Sequence, residues 1–184
     1  MNKQLLRKLF WFFWFSTTVL TGILAGFMVS HSVMLGRFFN WYIESDNLDL
    51  LRQTFTVFRE ANTPGVIYYS PLYLAFLSGV AWTVLAFILK RDRIIAVLAG
   101  LSTFWVGNIF FLSLLNKAEE AVLSGSADAA MAQYYLSINL PLHTAFAVIY
   151  LASVCLLLWV PLKRQWQAAG AEMKQPASKK GGSS

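Results

Sequence analysis

Four stretches without a formal charge set the limits on this chain: residues 9–30, 67–89, 94–115 and 140–162, each 22 or 23 residues long. A helix rises about 1.5 Å per residue, so about 20 apolar residues cross a hydrocarbon core about 30 Å thick. Inside hydrocarbon every backbone N–H and C=O needs a partner within the chain, which admits only helices or closed barrels. The runs are continuously apolar rather than alternating, so helices are expected. Only 13% of the 184 residues are charged, about half the share in a soluble domain. The expected fold is all-α and integral to a membrane: one antiparallel four-transmembrane-helix bundle over residues 1–164. Residues 165–184, short of large apolar side chains after Trp166, are expected to form a disordered tail.

Charge gives the orientation. The N-terminus, the turn at 90–93 and the tail hold 11 of the 15 Lys and Arg but only two acids, Asp92 and Glu172. The other two connections hold four basic residues and seven acids. With four spans these segments alternate sides, and the positive-inside rule puts both termini in the cytoplasm of a plasma (bacterial inner) membrane. The net charge of +6 is accounted for by these flanks and gives no reason to expect nucleic acid. Lys3, Arg7 and Lys8 before an apolar run resemble a signal peptide, but the run is too long and no small-residue cleavage site follows it. The first run reads as a retained span. The lone Cys155 permits no disulfide framework and is expected to be a small packed residue.

Thr18, Gly22, Gly26 and Ser30 put small residues on one face of the first span. Such a face lets another backbone approach closely. Packing within the bundle is the expectation, and a homo-oligomer seam is the alternative. The connection at 37–66 opens with Phe38, Phe39, Trp41 and Tyr42. It continues as an outer amphipathic helix over 47–61, with Leu48, Leu51, Phe55 and Phe58 three or four apart. Proline suits a first helical turn, so the second span is expected to start near Pro71. Asn108, Leu112, Asn116 and Glu120 fall at four-residue spacing along the third span. Asn108 is expected to be the most buried amide.

On this orientation three spans bring polar groups to the outer leaflet: His31 from the first, Asn116, Glu119 and Glu120 from the third, Asn139 and His143 from the fourth. Tyr73 and Tyr150 add hydroxyls on the second and fourth spans. An ionisable group within a span is costly and is a functional candidate by default. His143, Asn139 and Glu120 are the catalytic candidates, a histidine paired with Glu119 or Glu120 being suited to act as a general base on a lipophilic substrate. His31, Asn116, Asn108, Tyr73 and Tyr150 are the substrate-binding candidates. Two alternatives stay open. His31, His143 and Glu119 are suitable ligand types for a transition metal, and His31 with His143 for the axial positions of haem b. Neither cofactor is required by the sequence. The structural reading of the same residues is an interfacial His31, a packed His143 and solvated Glu119 and Glu120.

The layout resembles the small four-span family that includes anthrone oxygenases. The residues that carry the likeness are Gly22 and Gly26, the 62–64 Asn-Thr-Pro, Asn116, and Asn139 with His143. The Trp that commonly precedes the family's span-four Asn is absent here. The resemblance implies an oxidase or oxygenase acting on a lipophilic aromatic small molecule at a membrane pocket, without a dedicated cofactor. A non-catalytic accessory subunit of a larger membrane complex is the rival class.

Overall fold

A computed structural model of the chain describes residues 2–173. These residues are helical apart from short connections, with no strand among them. The first helix, α1 (Lys3–Ser30), begins at Asn2, whose side-chain oxygen accepts from the Gln4 amide at 2.9 Å and satisfies one free N–H of the first turn. It does not stop at Ser30. A π-turn at His31–Leu35 carries the rod into α2 (Gly36–Glu44). The connection expected from Arg37 onward is thus helix as far as Glu44. The reason is burial: Phe39 and Asn40 give α2 an inward face of its own.

The expected amphipathic segment exists, as α3 (Leu48–Leu51), a π-turn at Arg52–Thr56 and α4 (Val57–Asn62). Leu51 is buried and Phe55 half-buried, while Phe58 faces outward, because the wide π-turn shifts the register between them. The Thr56 hydroxyl ties this segment to the Leu123 carbonyl at 2.9 Å. Thr63, left-handed at φ 43°, turns the chain into α5 (Pro64–Ile88). Pro64 takes the place at the helix start expected of Pro71, which lies inside α5.

A tight turn with Lys90 and Asp92 at φ 54° and 48° leads to α6 (Arg93–Ile95), a π-turn at Ala96–Gly100 and α7 (Ser102–Leu112). The two halves of this segment meet at 41°. A Cβ on Gly79 would sit 1.9 Å from the Gly100 carbonyl oxygen, so α5 meets the bend backbone to backbone. Leu114 at φ 56° then separates α7 from α8 (Leu115–Ser124). That break cancels the expected polar face: Asn108 points outward, whereas Asn116 on α8 is half-buried.

The last helix, α9 (Ala129–Met173), is one element of 45 residues. It runs unbroken through Pro141, just inside the fourth charge-free run, and through Pro161. It also continues over 165–173, part of the stretch expected to be disordered; 174–184 lie outside the described residues.

Three helices, Lys3–Glu44, Val66–Ile88 and Ala129–Gly170, are long and apolar enough to cross a membrane, and the bent pair would make a fourth. α1 packs against α5 and α9, and the bent segment packs against α5 and α9 in turn. One core cluster surrounds Leu24, Phe39, Leu115, Phe146 and Tyr150. The other, around Phe10, Trp82, Leu157 and Val160, fills the end near the 90–93 turn. Gly22 and Gly26 do not serve this packing. Both are exposed, and a Cβ on either would meet nothing within 4 Å. Cys155 is likewise exposed rather than packed.

Candidate functional site: a stacked histidine pair

The buried face of α9 is polar where it meets the α1–α2 rod. Tyr135, Asn139, His143 and Tyr150 all point inward, at helical spacings of four, four and seven. Opposite them, His31 opens the π-turn and Asn40 follows on α2; both are buried. The Asn139 side chain joins the two elements. Its Nδ2 donates to the Gly36 carbonyl at 3.2 Å and to Asn40 Oδ1 at 2.8 Å. Oδ1 is then the acceptor, and His31 Nε2–H donates to it across 3.1 Å.

His143 is fixed differently. Its Nδ1 lies 2.9 Å from the Asn139 carbonyl one turn earlier. A carbonyl only accepts, so Nδ1 carries the proton. The two imidazoles therefore hold opposite tautomers. Among the described residues no hydrogen bond reaches His31 Nδ1 or His143 Nε2; each presents a lone pair. The rings lie face to face, centroids 3.6 Å apart and planes 16° from parallel. Phe39 meets His31 edge-on at 6.2 Å and Phe146 meets His143 edge-on at 5.8 Å, so aromatic edges flank the stack.

Gly36 makes this possible. A Cβ there would fall 2.8 Å from His31 Cδ2 and 2.9 Å from Nε2. Only bare backbone admits the ring at that distance. The π-turn is the complementary device, since one extra residue in the turn re-aims His31, and such bulges recur at functional sites. Gly36 and Asn40 were not singled out from the sequence. The signal was present: a glycine five residues after His31, and an amide four further on amid aromatics.

The other expected residues fall into two groups. Among the described residues the buried Tyr150 hydroxyl and Asn116 Oδ1 lack a hydrogen-bond partner, and so does the buried hydroxyl of Tyr135, a residue not singled out from the sequence. Glu120, by contrast, is exposed and pairs with Arg59 at 3.5 Å. Glu119 beside it is half-buried, and burial, reinforced by the Glu120 charge and opposed by Arg59, pushes its carboxyl up to about 7. Tyr73 faces outward. Asn108, expected to be the most buried amide, is exposed and donates to Phe104 in its own helix at 2.7 Å. The bend before α7 and the break after it turn that face away from the core.

The cofactor alternatives meet a geometric test. Among the described residues no three His, Cys, Asp or Glu side chains gather as a metal set, so Glu119 does not join the histidines. Axial haem ligands must aim their nitrogens at one iron from opposite faces of the macrocycle. Rings lying flat on each other at 3.6 Å leave no room for a porphyrin between them. What the arrangement offers is a pair of proton acceptors with fixed tautomers in a buried, aromatic layer. No protein-family model, curated protein or solved structure matches this chain.

Proposed function

We propose that the chain is a multi-pass membrane protein with four spans, both termini in the cytoplasm, and a lipophilic small molecule received at the histidine pair on the far side. Three apolar helices and a bent fourth segment support the membrane reading, as does the alternation of basic and acidic connections. The observation that carries the site is the His31–His143 stack with its two unengaged lone pairs. A substrate with an acidic C–H or O–H, such as a hydroxylated aromatic ketone, would give up its proton to one imidazole. Asn139 is a positioning residue that sets the tautomer. Deprotonation leaves an electron-rich carbanion or phenolate, the form that dioxygen oxidises, which agrees with the oxygenase reading of the sequence.

The test is dioxygen uptake by the detergent-purified chain supplied with anthrone. His143→Gln and His31→Gln should each lower the rate by about 10²–10⁴-fold, the usual contribution of a positioned base, with Tm close to the parent. Uptake that survives both substitutions, or no saturable binding of anthrone, overturns the assignment. A second reading, a contact subunit in a membrane complex, is favoured by the exposed Gly22 and Gly26 on α1, which no described residue covers. Stoichiometric co-purification of another membrane protein would support it.

A further inference from the structure

At the end away from the histidines, two recesses meet. One, of about 170 Å³, is lined by Arg91, Asp92, Lys163, Arg164 and Gln167. The other, of about 600 Å³, is lined by Lys90, Asp92, Arg93, Ile94, Ile95 and Lys163. Asp92 and Lys163 belong to both, so this is one site with two lobes. Among the described lining residues the only acid, Asp92, is already neutralised. Asp92 is paired with Arg164, whose guanidinium lies over the Phe10 and Trp11 rings at 5.3 and 4.6 Å. That pair forms a fixed floor, and no unpaired acid remains among the described lining residues to oppose an anion.

Around this floor stand Lys90, Arg91 and Lys163, exposed and without an ion pair or side-chain hydrogen bond among the described residues. Arg93 completes the ring while leaning on the Phe87 carbonyl at 3.4 Å. The larger lobe adds apolar wall from Ile94 and Ile95. Cations converging beside an apolar wall match a phosphate attached to a hydrocarbon, and basic pockets between spans on the cytoplasmic side bind such headgroups. The left-handed turn at Lys90 and Asp92 brings the bases of the 90–93 turn and of α9 to one recess.

We propose that this recess binds the phosphate of an anionic phospholipid headgroup, with Lys163, Lys90 and Arg91 as its ligands. The lipid source rests on the membrane reading above; the phosphate chemistry does not. The test titrates the full chain in neutral detergent with dioctanoyl phosphatidylglycerol, dioctanoyl phosphatidylcholine and inorganic phosphate, following Trp fluorescence. Saturable binding of the glycerol lipid, at least tenfold tighter than of the choline lipid, is expected. Lys163→Gln and Arg91→Gln should each weaken it about fivefold, while Lys8→Gln, an exposed base that lines neither recess, leaves it unchanged. Equal affinity for both lipids, or an equal loss in Lys8→Gln, would overturn the site in favour of general surface charge. Inorganic phosphate that binds as tightly and displaces the lipid would overturn the lipid source. Partition of the chain into the aqueous phase of a Triton X-114 separation would instead sink the membrane reading, which keeps the two failures apart.

Discussion

His31 and His143 come from helices more than a hundred residues apart in sequence, yet their rings stack at 3.6 Å while holding opposite tautomers. One residue produces both states: the Asn139 side chain accepts from His31 and the Asn139 backbone accepts from His143. Nitrogen-15 NMR of histidine-labelled protein at neutral pH should show one ring protonated at Nε2 and one at Nδ1. Two rings protonated at the same nitrogen would disprove the clamp.

Replacing Asn139 by Ala strands the His31 Nε2–H and the Asn40 side-chain oxygen in a buried layer. Each orphaned group costs about 1–3 kcal/mol. Asn139→Ala is expected to destabilise by about 2–4 kcal/mol, whereas adding His31→Ala to it costs less than the sum of the two. A double-mutant cycle in denaturant measures the coupling; strict additivity would show that the 3.1 Å contact contributes nothing.

Gly36→Ala forces a methyl group into the His31 ring. Overpacking of this kind costs about 1–3 kcal/mol, and the displaced ring loses Asn139. The Nε2–H signal of His31 should move with the loss in Tm, and the proposed activity should fall with it. An unchanged spectrum would mean that the π-turn absorbs the extra carbon.

Glu119 sets a pH dependence. Its folded carboxyl titrates at about 7, above the ordinary 4.5, so between those values the folded state holds more protons than the unfolded state. Stability therefore falls as pH rises from about 4.5 through about 7 and levels beyond it. Glu119→Gln should flatten that slope and raise Tm at pH 8 by on the order of a few degrees. A parent protein with the same Tm at pH 5 and pH 8 would contradict this.

Gly79 and Gly22 should respond differently to the same change. Gly79→Ala places a methyl on the Gly100 carbonyl and is expected to cost about 3 kcal/mol or more, the upper end for overpacking. Gly22→Ala meets open space and should leave the monomer's Tm within about a degree. Thermal melts in detergent compare the two directly.

Apolar length was legible from the sequence because one rule, about 1.5 Å per residue, links it to helices. The coarse result stands: an all-helical chain with three membrane-length helices and a bent fourth segment. The convergence of His31, Asn139 and His143 was legible for a similar reason, since each lies at or just beyond the end of a charge-free run on the same side. The departures from regular winding were not. The π-turns at His31–Leu35 and Ala96–Gly100 and the left-handed Leu114 each rotate the helical segment beyond them. Fixed four-residue spacing therefore misplaced Asn108, which a regular helix would have set beside Asn116. Gly36 escaped notice because its role depends on a ring five residues away curling back over it. Gly22 and Gly26 show the converse: small residues mark a face fit for close approach without saying whether anything approaches.

α9 is a single helix of 45 residues, which makes it about 68 Å long and longer than a bilayer with its headgroups is thick. His143 and Arg164 both ride on it, roughly 32 Å apart along the axis. A stave of that kind has few ways to yield, and Pro141 and Pro161 are its two weak points. A tilt of the helix beneath the histidines reaches the Asp92–Arg164 pair only through Pro161, so the stiffness of that one turn decides whether the two ends move as one.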